Sequence, residues 1–287
     1  MSTWLLGNKL IDCASPRIMA IVNATPDSFF AGSRLDAEAS LTDQLSALLH
    51  KKPDIIDVGG QSTRPGSVRV NDQDEMASIL PVITELRKLN NHVPLTVDTY
   101  SAAVAEAALD AGADGVNDIS AGRFDPGMLP LVAERRCGYV LMHMLGTPES
   151  MQQNPHYESC LSEVRSFLEE QLASAISAGV APERVVLDPG IGFGKRLEDN
   201  IELLTSASAL AELGRPLLYG VSRKSCIGVI TGEQDPAQRL PGTLGTTWAL
   251  LDQGVMLHRV HDVPETRQLM DVWQRLNDAH ASSNSAA

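Results

Sequence analysis

The sequence is poor in cysteine and in aromatic residues, and it has no long apolar run. Without a run of about 18 apolar residues, no segment is expected to span a membrane. The first residues lack the basic and apolar regions of a secretory signal, which favours a cytoplasmic protein. The cysteines have neither zinc-site spacing nor the pattern of a disulfide framework, and we interpret them as structural thiols: Cys13, Cys137, Cys160 and Cys226.

Positive charge is also scarce. The 287 residues include 23 lysines and arginines against 36 aspartates and glutamates, which gives a formal net charge of −13. Such a charge opposes non-specific binding to nucleic acid, which requires a basic surface. It does not oppose a small anionic substrate, because a few cations at one site can outweigh the overall charge.

Short apolar runs that end in polar residues recur along the chain. The clearest lies at residues 185–195, where a hydrophobic run reaches Asp188 and then a glycine-rich loop. About eight such strands alternate with about eight helical segments, which predicts an α/β fold, a (β/α)8 barrel, as one domain over residues 1–287. An open doubly wound sheet is the alternative, but no nucleotide-binding fingerprint follows an early strand. Residues 3–13 predict a hairpin that caps the bottom of the barrel.

Helical periodicity sets the remaining boundaries. It predicts helix one from about residue 36 to residue 50 and one continuous helix six over residues 197–213. Strand seven is placed at residues 217–221, and helix seven follows at residues 240–251.

Four aspartates stand where predicted strands end: Asp57, Asp98, Asp118 and Asp188. Any one of them can be merely the N-cap of the helix that follows. Several of them at the carboxyl mouth of a barrel favour a binding site instead. Asp98 and Asp188, with Asn117 beside them, are suited to the edge of a flat, nitrogen-rich heterocycle, because carboxylates accept N–H protons and an amide also donates. A buried carboxylate also stabilises cationic charge in a transition state.

The histidines do not show the His-x-His pattern of metal-hydrolase barrels, so a tightly held catalytic zinc is not expected, and we interpret His143 as structural. Cations stand instead at strand ends and loops: Arg64, Lys224, Arg259 and His261. Period-two spacing puts Arg259 and His261 on the same side of strand eight, where barrels commonly bind phosphate. A solvated arginine and a core histidine are the alternative. The glycine-rich loop is not a Walker motif, because it lacks the Ser or Thr after the lysine.

Taken together, these segments resemble the dihydropteroate synthase family. Two of them read DVGGQSTRPG, at residues 57–66, and LDPGIGFGK, at residues 187–195. The ordered set runs from strand one to strand eight: residues 23–29, 57–66, 97–99, 117–120, 141–144, 187–195, 222–225 and 259–263. The order of the segments makes the resemblance specific, although no single segment would be decisive.

The resemblance implies an enzyme that joins 6-hydroxymethyl-7,8-dihydropterin diphosphate to p-aminobenzoate and releases diphosphate. It implies that the pterin is held by Asp98, Asn117, Asp188, Lys224 and Met142. The diphosphate would be held by Asn23, Thr63, Arg64, Arg259 and His261, with Mg2+ bridging Asn23 and the phosphate oxygens. The p-aminobenzoate would contact Phe193, Ser222, Pro65 and Phe29. The residues expected to act in catalysis are Asp98, Lys224 and Arg64, and a homodimer is expected.

Two rival functions remain open from the residues. A pterin-binding methyltransferase with a corrinoid partner shares the carboxylates but does not need the cations at the strand ends. A non-catalytic pterin-binding barrel would keep Asp98 and Asp188 and lose those cations. Within the resemblance itself, two loops depart from the usual pattern, at Ala24 and Phe30 in the first and at Gln61, where glutamate is common, in the second.

Overall fold

The computed structural model describes residues 3–24, 40–61, 66–67 and 69–284. The strands in these ranges are β1 Thr3–Leu6, β2 Lys9–Asp12, β3 Arg17–Asn23, β4 Ile55–Gly59, β5 Leu95–Asp98, β6 Gly115–Asp118, β7 Gly138–Met142, β8 Val185–Asp188, β9 Leu218–Tyr219 and β10 Leu257–Val260. The helices are α1 Leu41–His50, α2 Asp72–Leu89, α3 Ala102–Asp110, α4 Met128–Arg135, α5 Cys160–Ser177, α6 Leu197–Thr205, α7 Ala207–Ala211, α8 Ser225–Thr231, α9 Leu240–Leu251 and α10 Val263–Asn284. No helix of the described ranges is long and apolar enough to cross a membrane.

Eight parallel strands form the central sheet. Their order is β8-β7-β6-β5-β4-β3-β10-β9, so most neighbours in the sheet are also neighbours in sequence. A parallel bridge between Leu187 in β8 and Leu217, just before β9, joins the two ends and closes the sheet into a barrel. Helices connect the strands and cover their outer face, which confirms the predicted (β/α)8 fold.

The hairpin β1–β2 covers the bottom of the barrel. Trp4 and Leu6 are fully buried, and they pack with apolar residues near the starts of the barrel strands: Met19, Ile55, Val140, Val186, Leu218 and Leu257. The indole of Trp4 also donates a hydrogen bond of 2.8 Å to the carbonyl oxygen of Arg184. The predicted hairpin is therefore confirmed, and it seals the end of the barrel opposite the carboxyl ends of the strands.

Replacing Gly115 with alanine is expected to lower the free energy of unfolding by about 1–3 kcal/mol. A Cβ at this position would lie 2.5 Å from Leu6 Cδ1 and 2.6 Å from the carbonyl oxygen of Gly138, so the hairpin would have to move. Denaturant titration measures the change. The control is Gly245→Ala in α9, where a Cβ would meet no atom within 4 Å and the free energy of unfolding should not fall. Equal stability of the Gly115 variant and the wild type would contradict this packing.

The largest apolar core lies between the strands and the helices around them. Alternate strand residues such as Val97, Val116 and Leu141 are fully buried there, against side chains from the helices. Because side chains alternate along a strand, the residues between them face the barrel interior. The four cysteines are buried and form no disulfide, which agrees with their interpretation as structural thiols.

The predicted continuous helix six is wrong, because the structure breaks it into α6 and α7 at Ser206. The backbone of Ser206, with φ −126° and ψ 27°, is not helical. Gln253, from the chain after α9, stabilises the break: its Nε2 donates to the carbonyl oxygen of Leu204, and its Oε1 accepts from the backbone N–H of Ala207. These backbone groups are 46 and 49 residues away from the side chain that satisfies them, so local periodicity could not reveal the break.

Other elements also differ from the predictions. Strand seven, predicted at residues 217–221, is shorter and forms β9 Leu218–Tyr219, with Leu217 in the isolated bridge to β8. Helix α8, Ser225–Thr231, was not predicted, because its sequence is rich in β-branched residues that favour strands. Its buried face includes Cys226 and Ile227, so packing stabilises a helix that propensity disfavours. Helix α1 begins at Leu41, and its N-cap Ser40 forms a capping box with Asp43. Residues 36–39, with which the predicted helix one begins, lie outside the described ranges.

Candidate active site

The carboxyl ends of the barrel strands bring the predicted pterin residues together. Asp98 in β5 and Asn117 in β6 are partners at the same level of the sheet, and so are Met142 in β7 and Asp188 in β8. All four residues are buried. Their position follows from the strands themselves, because each stands at or near the last residue of a parallel strand.

Arg259 reaches from β10 and binds two carboxylates. Its Nε donates to Asp57 Oδ2 over 2.7 Å, and its Nη2 donates to Asp98 Oδ2 over 2.6 Å. Asp57 also accepts from Asn117 Nδ2 over 2.9 Å and from Thr96 Oγ1 over 2.5 Å. One guanidinium therefore bridges two acidic groups, and the network ties β4, β5, β6 and β10 together beneath the mouth of the barrel.

Lys224, Phe193 and Met142 form one wall of the site. The Nζ atom of Lys224 lies 4.2 Å from the centre of the Phe193 ring, a cation–π contact. The lysine stem passes close to Gly192, where a Cβ would lie 3.3 Å from Lys224 Cδ. Phe193 packs against an apolar cluster that includes Met142. The wall thus combines an apolar surface with one ammonium group, as a flat substrate with a polar edge requires.

Lys195 fixes the glycine-rich loop that follows β8. Its buried Nζ donates to the carbonyl oxygens of Gly190 over 2.9 Å and Phe193 over 3.1 Å, and it contacts His143 Nδ1 at 2.9 Å. Asp188 Oδ1 holds the same loop by accepting from the backbone N–H of Gly190 over 2.7 Å. Lys195 is therefore committed to the protein backbone and to His143, which explains why this loop is not a phosphate loop.

Ser222 and His261 were predicted to contact different substrates, and the structure places them in contact with each other. Ser222 Oγ lies 3.0 Å from His261 Nδ1, and the backbone N–H of His261 donates to the same oxygen over 3.2 Å. Next to them, Arg223 Nε donates to Asp262 Oδ2 over 2.9 Å. These bonds join the chain after β9 to the chain after β10, so both residues are held at one corner of the mouth.

Burial shifts the pKa values of the ionisable groups at this site. It raises the pKa of Asp98 to about 7, although Arg259 opposes the shift, and it raises that of Asp188 to about 6. Burial, with the nearby charge of Arg259, lowers the pKa of Lys224 to about 8. The site thus holds carboxyl groups and an amine that all titrate near neutrality, which is common where charge is used for catalysis.

Comparison with known proteins identifies the family. The family of pterin binding enzymes matches residues 19–261. The chain is 42% identical to the dihydropteroate synthase of Synechocystis sp. over 255 residues, which are 89% of this chain and 88% of that protein. The chain belongs to the dihydropteroate synthase family.

Solved structures of dihydropteroate synthases share the fold. The Xanthomonas albilineans enzyme with 4-aminobenzoic acid has a TM-score of 0.87 at 38% identity, and the match covers 96% of this chain and 98% of that chain. The enzyme of the same organism in complex with 7,8-dihydropteroate has a TM-score of 0.84 at 35% identity, with the same coverage. The resemblance inferred from the sequence motifs is therefore confirmed.

Several predicted ligands of the dihydropteroate synthase site lie outside the described residues: Phe29, Thr63, Arg64 and Pro65. Asn23 is described, and it ends β3 with an exposed side chain at the mouth of the barrel. The role of each predicted ligand in substrate binding stays a prediction. What the structure adds is that Asp98, Asn117, Asp188, Lys224 and Arg259 do converge on one site.

The aspartate at the end of β6 has the structural role that was left open for it. Asp118 Oδ1 accepts from the backbone N–H and the hydroxyl group of Ser120, and Oδ2 accepts from the backbone N–H of Gly122 and the hydroxyl group of Tyr139. These bonds fix the turn after β6. Asp118 therefore caps a turn, in contrast to Asp98, whose carboxylate binds Arg259.

Sequence reasoning missed the importance of Asp57 and Thr96. Asp57 was recognised as a strand-end aspartate but given no role, and Thr96 was not noticed. A signal was available, since Asp57 is the one charged residue in an otherwise apolar strand. It stands two residues before Gly59, so both positions lie on the same face of the sheet. A carboxylate buried at such a position requires partners. Which partners it has depends on β5, β6 and β10, and the sequence does not show that.

Asn23 fits a Mg2+ site only as one member of a shared set. Its amide oxygen is the hard type of ligand that Mg2+ prefers, and its exposed position at a strand end allows waters and phosphate oxygens to complete the shell. Within the part of the chain that the structure describes, no group of three or more His, Cys, Asp or Glu side chains could hold a metal. The residues are thus compatible with a metal that arrives with the diphosphate.

We expect kcat/KM for the pterin substrate to fall as the pH is lowered through about 7 to about 6. Asp98 and Asp188 must be ionised to accept N–H protons, and their raised pKa values move protonation up from the usual range near pH 4. A kcat/KM profile at constant ionic strength, from about pH 5 to about pH 9, reports these groups in the free enzyme. A profile that stays flat down to about pH 5 would show that neither carboxyl group controls activity.

Proposed function

We propose that the chain catalyses the condensation of 6-hydroxymethyl-7,8-dihydropterin diphosphate with p-aminobenzoate, giving 7,8-dihydropteroate and diphosphate in folate synthesis. The observation that carries the proposal is the convergence of buried carboxyl groups, one amide and two cations at the carboxyl mouth of the barrel. Membership of the dihydropteroate synthase family supports it independently.

Binding of the pterin uses the buried floor of the site. Asp98 and Asp188 provide acceptors for the N–H groups along the edge of the ring, and Asn117 adds an amide. Met142 and Phe193 offer apolar surface to the ring faces, and their cluster excludes water from the site. Burial strengthens each polar contact, because little solvent competes for it.

The reaction is a dissociative substitution at the methylene carbon of the pterin. The C–O bond to diphosphate breaks, and its electron pair leaves with the diphosphate. The nitrogen of p-aminobenzoate then forms the C–N bond with its own lone pair and releases a proton to solvent. Between these events the pterin methylene carries positive charge, which the carboxylate of Asp98 stabilises electrostatically. No enzyme nucleophile is required.

The leaving diphosphate is stabilised by cations that lie beside the carboxyl groups of the site. Arg259 offers its remaining N–H groups, since none of the described residues accepts a proton from its Nη1. His261 stands two residues further along the chain and is exposed to the mouth. Mg2+, when held by Asn23 and phosphate oxygens, would add further neutralisation of the leaving charge.

The test is diphosphate release from the pterin substrate with Mg2+, measured with and without p-aminobenzoate, together with detection of dihydropteroate. Product that depends on both substrates is the expected result. Pterin binding without turnover would favour the non-catalytic barrel. Methyl transfer to a corrinoid in place of condensation would favour the methyltransferase, whose substrate needs no diphosphate site.

The oligomeric state and the cellular location are further proposals. A homodimer is supported by exposed apolar side chains on two outer helices: Val229 and Ile230 on α8, and Val272 and Leu276 on α10. Light scattering at micromolar concentration should give twice the chain mass of 30.8 kDa, and a single-chain mass would refute the dimer. A cytoplasmic location stays a prediction.

A further inference from the structure

Asp57 is the most enclosed charged group of the site. None of its surface is exposed, whereas the nearby Asp98 retains 8% exposure. It accepts three hydrogen bonds, from Thr96, Asn117 and Arg259, which belong to three different strands. With three donors and no exposure, its carboxylate is directed at the protein and does not reach a substrate in this arrangement.

The bond to Asn117 sets the orientation of that amide. Asn117 Nδ2 donates to Asp57 Oδ2 over 2.9 Å, and Asp57 can only accept when ionised. The amide therefore has to present its nitrogen to Asp57. Its Oδ1 atom and its second N–H then remain for the pterin, in one orientation of the two that an unrestrained amide would populate.

The bond to Arg259 sets the orientation of the guanidinium. Asp57 takes the Nε–H and Asp98 takes one Nη2–H, so two carboxylates on neighbouring strands hold the planar group by one edge. A guanidinium keeps its donors in a fixed plane, so fixing one edge also fixes the direction of the others. Among the described residues, these are the only acceptors that contact Arg259.

We propose that Asp57 is a positioning residue of the proposed synthase: it orients Asn117 towards the pterin and Arg259 towards the diphosphate from one buried carboxylate. Because Asp57 does not touch the substrate, it acts through these two side chains. The inference rests on the proposed function. It means that one residue, Asp57, connects the part of the site that binds the pterin with the part that binds the diphosphate.

The test compares Asp57→Asn with Asp57→Ala. An asparagine can still accept from Asn117 and Arg259 through its oxygen and donate to Thr96 Oγ1. Its neutral oxygen makes a weaker bond to the guanidinium than the carboxylate does, so Arg259 is held less firmly while Asn117 keeps its partner. Calorimetry should then show the Kd of the pterin diphosphate rising about tenfold, while that of the bare hydroxymethyl pterin changes by less than about threefold. Asp57→Ala removes all three bonds, so both Kd values should rise by about tenfold or more.

A double-mutant cycle separates positioning from general structural damage. In an Arg259→Ala background, Asp57→Asn should no longer affect the Kd of the pterin diphosphate, because the group that it positions is absent. The same fold-change in both backgrounds would overturn the proposal. So would an equal loss of affinity for both ligands in the Asp57→Asn variant.

Asp114→Asn is the matched control. Asp114 accepts from Lys9 Nζ, from Arg87 Nη2 and from the backbone N–H of Leu95, but it lies at the opposite end of the barrel. Loss of the Asp114 charge should lower the melting temperature and leave both Kd values unchanged. A wild-type chain that fails to bind the pterin diphosphate would instead refute the proposed function itself.

If Asp57→Asn does not fold, Arg259→Lys provides the same test. Lysine keeps the positive charge, but a single ammonium group cannot span Asp57 and Asp98 as the guanidinium does. The Kd of the pterin diphosphate should rise about tenfold despite the retained charge. An unchanged Kd would show that charge alone matters and that holding the guanidinium in place does not.

Discussion

Replacing Asp98 with asparagine is expected to leave the barrel folded and to lower kcat for dihydropteroate formation by about 100- to 1,000-fold. The exchange keeps the size of the side chain and removes the negative charge that faces the developing methylene cation. Asp98 is buried, so the lost charge acts at low dielectric, where it counts most. Steady-state kinetics with both substrates measure the effect.

Asp118→Asn is the control for the Asp98 variant. Asp118 is a buried aspartate at the end of the next strand, but its partners are Ser120 and Gly122 in the turn after β6 and Tyr139 in β7. That variant should be less stable and keep a kcat close to that of the wild type. A near-normal kcat for Asp98→Asn, with both variants folded by circular dichroism, would remove Asp98 from the mechanism.

Replacing Arg259 with alanine is expected to weaken binding of the pterin diphosphate by roughly 10- to 100-fold and to affect the bare pterin much less. The guanidinium offers charge-assisted hydrogen bonds to phosphate oxygens, and these are stronger than bonds between neutral groups. The bare pterin lacks those oxygens, so it loses only the indirect support that Arg259 gives to Asp98. Calorimetric titration of both ligands into one variant gives the comparison directly.

Arg87→Ala is the control for the Arg259 variant. Arg87 is a half-buried arginine that binds Asp114 and backbone carbonyl oxygens near the bottom of the barrel. Its removal should reduce stability and leave both affinities as they are. If Arg259→Ala weakens both ligands by the same factor, Arg259 is not a diphosphate ligand, and its bonds to Asp57 and Asp98 are purely structural.

Most of the fold could be predicted, because local patterns decide it. The apolar runs at residues 95–98, 115–118 and 185–188 predict strands, and β5, β6 and β8 have these bounds. Helical segments predicted at about residues 72–89 and 240–251 are α2 and α9. Ser101, just before an alanine-rich segment, predicts an N-cap from the sequence, and it caps α3, because a cap depends on residues only three positions apart. Where a distant residue intervenes, as Gln253 does at the break after α6, local patterns failed.

The sequence by itself determined the barrel and the family, and it named Asp98, Asn117, Asp188, Lys224 and Arg259 as one candidate site. Strand periodicity places polar residues at strand ends, and parallel strands bring those ends to one mouth. Only the tertiary structure decided which side chains contact each other. Arg259 bridges Asp57 and Asp98, Ser222 contacts His261, and Lys195 binds the backbone of the loop after β8. The physical reason is that a hydrogen bond requires a separation near 3 Å. Strands far apart in sequence reach that separation only when the barrel closes.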